Sequence, residues 1–168
     1  MPLNRLLLAC ACLCGALLLG TVPNMSLAQG ANIAFGSSKE DTSQPVEVTA
    51  DNLSVDQNNG TAVFTGNVVI GQGAMRLSAA RVQVYYAEDG TRISRLAATG
   101  GVTLVSGDDA AEAARADYNI DNGNIVMTGD VLLVQKGTAL TSDKMSVNIA
   151  AGTAQMQGRV KTVLQPNE

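Results

Sequence analysis

Ala62-Val63-Phe64-Thr65-Gly66-Asn67-Val68-Val69-Ile70-Gly71-Gln72 is the stretch that decides the fold class. Ala62 and Phe64, then Val68 and Ile70, recur at every second position, the period of a strand with one buried face. Thr65-Gly66-Asn67-Val68 interrupts that alternation. The same punctuation returns as Thr99-Gly100-Gly101-Val102, Thr128-Gly129-Asp130-Val131 and Gln157-Gly158-Arg159-Val160. The glycines at 66, 100, 129 and 158 fall 34, 29 and 29 residues apart. A glycine inside a strand pattern marks a bulge or sharp bend, so each is expected where the chain passes from one sheet to another.

Outward from this stretch the period of two persists. It runs through Val46, Val48 and Ala50; Leu53 and Val55; Met75, Leu77 and Ala79; Val82, Val84 and Tyr86; Leu96 and Ala98; Val102 and Leu104; Tyr118 and Ile120; Ile125 and Met127; Val131 and Leu133; and Met145, Val147 and Ile149. Asn58-Asn59-Gly60, Glu88-Asp89-Gly90, Asp121-Asn122-Gly123 and Ala151-Gly152 are expected hairpin tips, where glycine or asparagine supplies positive φ. The alanine-rich 110–116 stretch is the best helical window, but it is too short to stand alone and runs into an alternating strand. A unit of about 30 residues, made of strand, tip, strand, glycine corner and strand, is the mark of stacked layers that bury one another's apolar faces. Four such layers fill the chain from Pro45 to Leu164. The competing reading is an ordinary closed core whose turn spacing is coincidental.

The N-terminus reads as an export signal. Arg5 is followed by an apolar run from Leu6 to Leu19, broken by Gly15, and Ser26-Leu27-Ala28 sets small residues where a signal peptidase cuts, so cleavage is expected before Gln29. The run is shorter than the roughly 20 apolar residues that span a bilayer. Cys10, Cys12 and Cys14 all lie inside this signal, so the mature chain of 140 residues has no thiol for a disulfide or a metal. A retained anchor, or lipidation at one of these cysteines, is the alternative. Loss of Arg5 moves the formal charge from −4 to −5. Residues 29–44, with Gly30, Gly36 and the Lys39-Glu40-Asp41 cluster, carry no apolar period and read as a flexible leader. One domain at 45–165 and a short tail at 166–168 complete the plan.

The chemistry-bearing residues are sparse. Histidine is absent from the whole chain, so the commonest general base and metal ligand is missing, and no catalytic residue, metal site or cofactor is expected. Asp108-Asp109 and Glu88-Asp89 read as solvated turn acids. Asp121-Asn122-Gly123-Asn124 has the start of a calcium loop but not its later glutamate. The acidic balance, the absence of tryptophan and the presence of only two phenylalanines and three tyrosines disfavour nucleic acid. Arg76, Arg81, Arg92 and Arg95 are a local basic group that can meet an anionic head group or simply solvate a strand face. Met75, Met127, Met145 and Met156 give a soft interior, suited to flexible hydrocarbon or to core filling.

Gln44-Pro45-Val46-Glu47-Val48-Thr49-Ala50-Asp51, Phe64-Thr65-Gly66-Asn67-Val68-Val69-Ile70-Gly71-Gln72-Gly73 and Leu77-Ser78-Ala79-Ala80-Arg81-Val82 together resemble the opening of the OstA-like, LptA-type family of periplasmic lipopolysaccharide-transport proteins. The resemblance continues through Tyr118-Asn119-Ile120, Val126-Met127-Thr128-Gly129-Asp130 and Arg159-Val160-Lys161-Thr162-Val163-Leu164-Gln165-Pro166. It implies a twisted, incompletely closed antiparallel β-jellyroll whose sheets enclose a groove for acyl chains. It also implies head-to-tail self-association into a periplasmic bridge between an inner-membrane lipopolysaccharide extraction complex and an outer-membrane assembly protein. By matching positions the groove would be lined by Val46, Val48, Leu53, Val55, Phe64, Val68, Leu77, Val82, Val84, Leu104, Tyr118 and Ile120, each equally suited to plain core packing. The chain differs from better-known members over 101–114 and after Pro166. Another OstA-like lipid chaperone, or a purely structural β-repeat scaffold, is the alternative.

Overall fold

The alternation becomes eleven strands joined in one antiparallel system. They are β1 (Ala31–Ala34), β2 (Glu47–Thr49), β3 (Asn52–Asp56), β4 (Thr61–Gln72), β5 (Met75–Tyr86), β6 (Ile93–Ser106), β7 (Asp109–Asn119), β8 (Asn124–Gln135), β9 (Thr138–Asn148), β10 (Thr153–Gln157) and β11 (Lys161–Leu164). The computed structural model describes residues 31–36, 42–56 and 60–164, and no helix occurs among them. The expected signal sequence with its three cysteines, the Asn58-Asn59 part of one tip and the tail lie outside the described residues. The alanine-rich window forms β7, where Ala111, Ala113 and Ala116 fill the interior side.

Each long strand is cut in two by its corner. Register shifts fall between Thr65 and Val68, Thr99 and Val102, and Thr128 and Val131. The corner residues are pairs in the left-handed region: Gly66 and Asn67 (φ +80° and +45°), Gly100 and Gly101 (+88° and +83°), Gly129 and Asp130 (+88° and +49°), Gly158 and Arg159 (+73° and +34°). The first member of each pair is glycine for a second reason as well. A Cβ there would stand 2.8 Å from the Ala80 Cβ at Gly100 and 2.7 Å from the Ala114 Cβ at Gly129, closer than carbon atoms approach. At the two end corners the neighbour is an aspartate: the Asp51 and Asp143 N–H groups donate to the Gly66 and Gly158 carbonyls.

The pairing on either side of the corners resolves into two half-sheets. In the first, the order is β3, β4 (61–65), β5 (81–86), β6 (93–99), β7 (115–119), β8 (124–128), β9 (144–148), β10 and β1. In the second it is β2, β4 (69–72), β5 (75–78), β6 (103–106), β7 (109–112), β8 (132–135), β9 (138–141) and β11. One apolar cluster contains residues of both halves, so the inner faces pack on each other as in a β-sandwich folded from shared strands. The corners form a covalent spine along one side; the other side is a seam.

Within the stretch read from the sequence as a flexible leader, the described residues 31–36 and 42–44 make contacts with the fold. β1 pairs antiparallel with β10, the Phe35 N–H donates to the Gly152 carbonyl, and Phe35 is 2% exposed. The Gly36 N–H donates to Asp109 Oδ2 at 2.7 Å, and Gln72 Nε2 donates at 2.9 Å to the Thr42 and Gln44 carbonyls. Residues 34–36, 42 and 44 make these contacts along the seam. Ile33 and Phe35 do alternate, but two apolar side chains between glycines are too few to register as a strand pattern.

Candidate functional site

The interior face is built from rows of side chains that run across the strands. In the first half-sheet, register aligns Leu53, Phe64, Val82, Ala98, Ala116, Met127, Met145 and Met156 in one row. A second row runs through Val55, Ala62, Val84, Leu96, Tyr118, Ile125, Val147, Ala154 and Ile33. The second half-sheet contributes Val48, Ile70, Leu77, Leu104, Ala111, Leu133 and Leu140. At the usual strand spacing, eight strands carry such a row over roughly 30 Å.

Exposure along the rows is uneven. Val68, Leu77, Val82, Val84, Leu104 and Tyr118 are excluded from solvent, and Val46, Val48, Phe64 and Ile120 are partly buried against the core. Leu53 and Val55 are 55% and 58% exposed, although their partners Phe64 and Ala62 place them on the interior side. The twelve positions therefore share one face, closed in the middle strands and open at the β3 end. The four methionines are fully buried among the middle and last strands, where their flexible thioethers fill the core.

Polar groups tie the seam. Tyr118 of the first half-sheet, 1% exposed, donates its hydroxyl to Gln72 Oε1 of the second, and Gln72 is itself 3% exposed. Burial pushes the Tyr118 hydroxyl up to about 12. Asp109 is buried, and its Oδ2 accepts from Gln135 Nε2 as well as from the Gly36 N–H, so it is no solvated turn acid. Neither Gln72 nor Asp109 carried a sequence signal: each is a polar residue beside a hairpin glycine, and only the long-range pairing shows what it holds.

The arginines do not converge. Arg92 pairs with Asp121, and Arg95 grips Asp117 with Nη2 at 2.5 Å while lying over the Tyr85 ring at 4.9 Å. Each guanidinium is held above its ordinary value, first by the hydrogen bond to its carboxylate. Arg76 Nη1 donates to the Gly73 and Met75 carbonyls, and Arg81 sits exposed beside a corner. Asp121 is thereby occupied by Arg92, and the Asn122 and Asn124 N–H groups are taken by Asn119 and Asn122 side chains, the arrangement of a turn.

The chain and its fold have counterparts among known proteins. Residues 47–153 match the family model described as LptA/(LptD N-terminal domain) LPS transport protein. The chain belongs to this family. Among curated relatives, the lipopolysaccharide export system protein LptA of Haemophilus influenzae is 29% identical, over 77% of this chain and 82% of its own length. LptA of Escherichia coli K12 is 26% identical over 76% and 75%. A Rhizobium meliloti protein with no assigned role is 27% identical over 86% and 84%. The crystal structure of LptH, described as the LptA-homologous periplasmic component of the lipopolysaccharide transport device of Pseudomonas aeruginosa, superposes with a TM-score of 0.66 at 19% identity, covering 76% of this chain and 99% of that one. The match gives this LptA-type chain the open jellyroll fold, and its family is one of lipopolysaccharide transport proteins.

Proposed function

We propose that this protein binds lipopolysaccharide in the periplasm, shields its acyl chains on the interior face, and passes it along as one link of a bridge from the inner to the outer membrane. The observation that carries this reading is the pair Leu53 and Val55. Large apolar side chains more than half exposed on an edge strand are unfavourable for a free-standing core. On the interior side of a face that continues through Phe64, they form the mouth of an apolar path. Covering a methylene is worth about 0.8 kcal/mol, so even one acyl chain supplies several kcal/mol toward parting the packed halves. The seam is where they part, because side-chain and strap hydrogen bonds hold it while the corners are covalent. No proton transfer or nucleophile is needed.

The ends support assembly. In the second half-sheet β2 and β11 are the outer strands, and when copies follow head to tail with β2 antiparallel on β11 and Val48 continuing the row at Thr162, Glu47 falls opposite Val163, diagonal to Lys161 on the same face. Arg159 is engaged by Asp143 and Asp51 by Asn67, so the charge pairing rests on Glu47 with Lys161. The inner-membrane extraction complex and the outer-membrane assembly protein would dock at the two ends through the same edges. Mass spectrometry of lipid co-purifying with envelope-expressed protein tests the reading: lipopolysaccharide is expected, and its absence with a fully packed interior would leave a structural scaffold.

A further inference from the structure

The two half-sheets do not end level. Among the described residues the second holds eight strands, β2 to β11, whereas the first holds eight from β3 to β10 and then a ninth, β1. Strand direction alternates across each half. After β10 the next antiparallel position runs the way β3 runs, and after β11 the next runs the way β2 runs. β2 and β3 both pair with β4. A following copy can therefore set its β2 on β11 and its β3 on β10 together, both antiparallel and both flush, if β1 is gone.

With β1 in place the first half-sheet projects one strand further, about 4.8 Å. A following copy's β3 would then meet β1 in parallel, and its β2 would be held off β11. We propose that β1 is a self-capping strand that occupies the β10 edge and leaves it when a second copy docks. This rests on the end-to-end assembly argued above. The exchange conserves the inner face: Ile33, opposite Ala154, is replaced by Leu53 or Val55 of the newcomer. It also favours the newcomer in length, since β1 covers four residues of β10 and β3 has five. β1 is held by Phe35, the Phe35 N–H on Gly152, the Gly36 N–H on Asp109, and Gln135 Nε2 on the Ala34 carbonyl at 2.8 Å. A covered edge keeps the free protein from pairing indiscriminately.

The test is a reversible lock. Asn32 and Gln155 are register partners, so Asn32→Cys with Gln155→Cys can bridge β1 to β10, with the 32–155 bond verified by peptide mapping. Self-association is followed by sedimentation velocity in oxidised and reduced protein. The oxidised form should associate on the order of tenfold more weakly than the reduced form, since apparent affinity scales with the fraction of docking-competent molecules. Phe35→Ala, which loosens β1, should strengthen association by a similar factor. Equal association of the oxidised and reduced forms overturns the proposal, as does weaker association of folded Phe35→Ala, which would make β1 part of the docking edge. If the unmodified protein, the lock and Phe35→Ala are all monomeric at high concentration, the assembly reading itself fails and takes this inference with it.

Discussion

Replacing Gly129 with alanine tests the corner on which the half-sheets turn. Gly129 has φ +88°, and an added Cβ would stand 2.7 Å from the Ala114 Cβ. The left-handed backbone costs an alanine about 1–2 kcal/mol. The clash with a methyl fixed to the neighbouring strand adds about 1–3 kcal/mol, while lost freedom in the unfolded chain returns about 0.4–1. A net loss of about 2–4 kcal/mol is expected, a large share of the roughly 5–15 available to a domain. Gly137 is the matched control, at φ +79° with nothing within 4 Å of its added Cβ. Gly137→Ala should show only the backbone part. Urea unfolding of both variants measures the difference, and adding Ala114→Gly should relieve the Gly129→Ala penalty by about 1–3 kcal/mol. If Gly129→Ala costs no more than Gly137→Ala, or Ala114→Gly gives no relief, steric closure does not define the corner.

Tyr118→Phe leaves Gln72 Oε1 buried without its donor and should cost about 1–3 kcal/mol in urea unfolding. The Tyr118 hydroxyl ionises near 10 in the unfolded chain and near 12 in the folded one. The stability this difference confers is thus complete below pH 10 and disappears as pH climbs to about 12, a loss that Tyr118→Phe should not show. Leu104→Asp should unfold the protein, because that position is sealed in the core. Phe64→Asp, nearer the open end, should leave a folded protein with reduced lipid capture; unchanged capture removes Phe64 from the path. Thr162→Pro takes one donor from β11 and should shorten end-to-end chains in light scattering while the monomer stays folded.

The strands, the corners and most tips were legible because period-two alternation and left-handed glycines are local properties. Gly66, Gly100, Gly129 and Gly158 all fall at strand bends, as their spacing implied. The requirement for Ala80 and Ala114 opposite two of them was hidden, since it depends on which strands become neighbours. β1 was illegible for a related reason: Ile33 and Phe35 matter through β10, more than a hundred residues away in sequence. The methionines and the alanines of β7 were read as interior but not as members of continuous rows, because a row exists only once register is set. Nothing in the pattern separates a side chain that touches lipid from one that fills the core. Phe64 and Val82 are adjacent in one row, yet one is partly open and the other sealed.

Site-specific photo-crosslinking to lipopolysaccharide tests the central claim most directly. The probe is set in turn at Val55 and Phe64 on the interior face, and at Val105 and Val134, whose apolar side chains are exposed on the outer face. The account predicts lipopolysaccharide adducts from positions 55 and 64 and little from 105 and 134, even though all four positions are apolar. Adducts of equal yield from the outer positions, or none from the inner ones in folded protein, would contradict an acyl-chain path along the interior face.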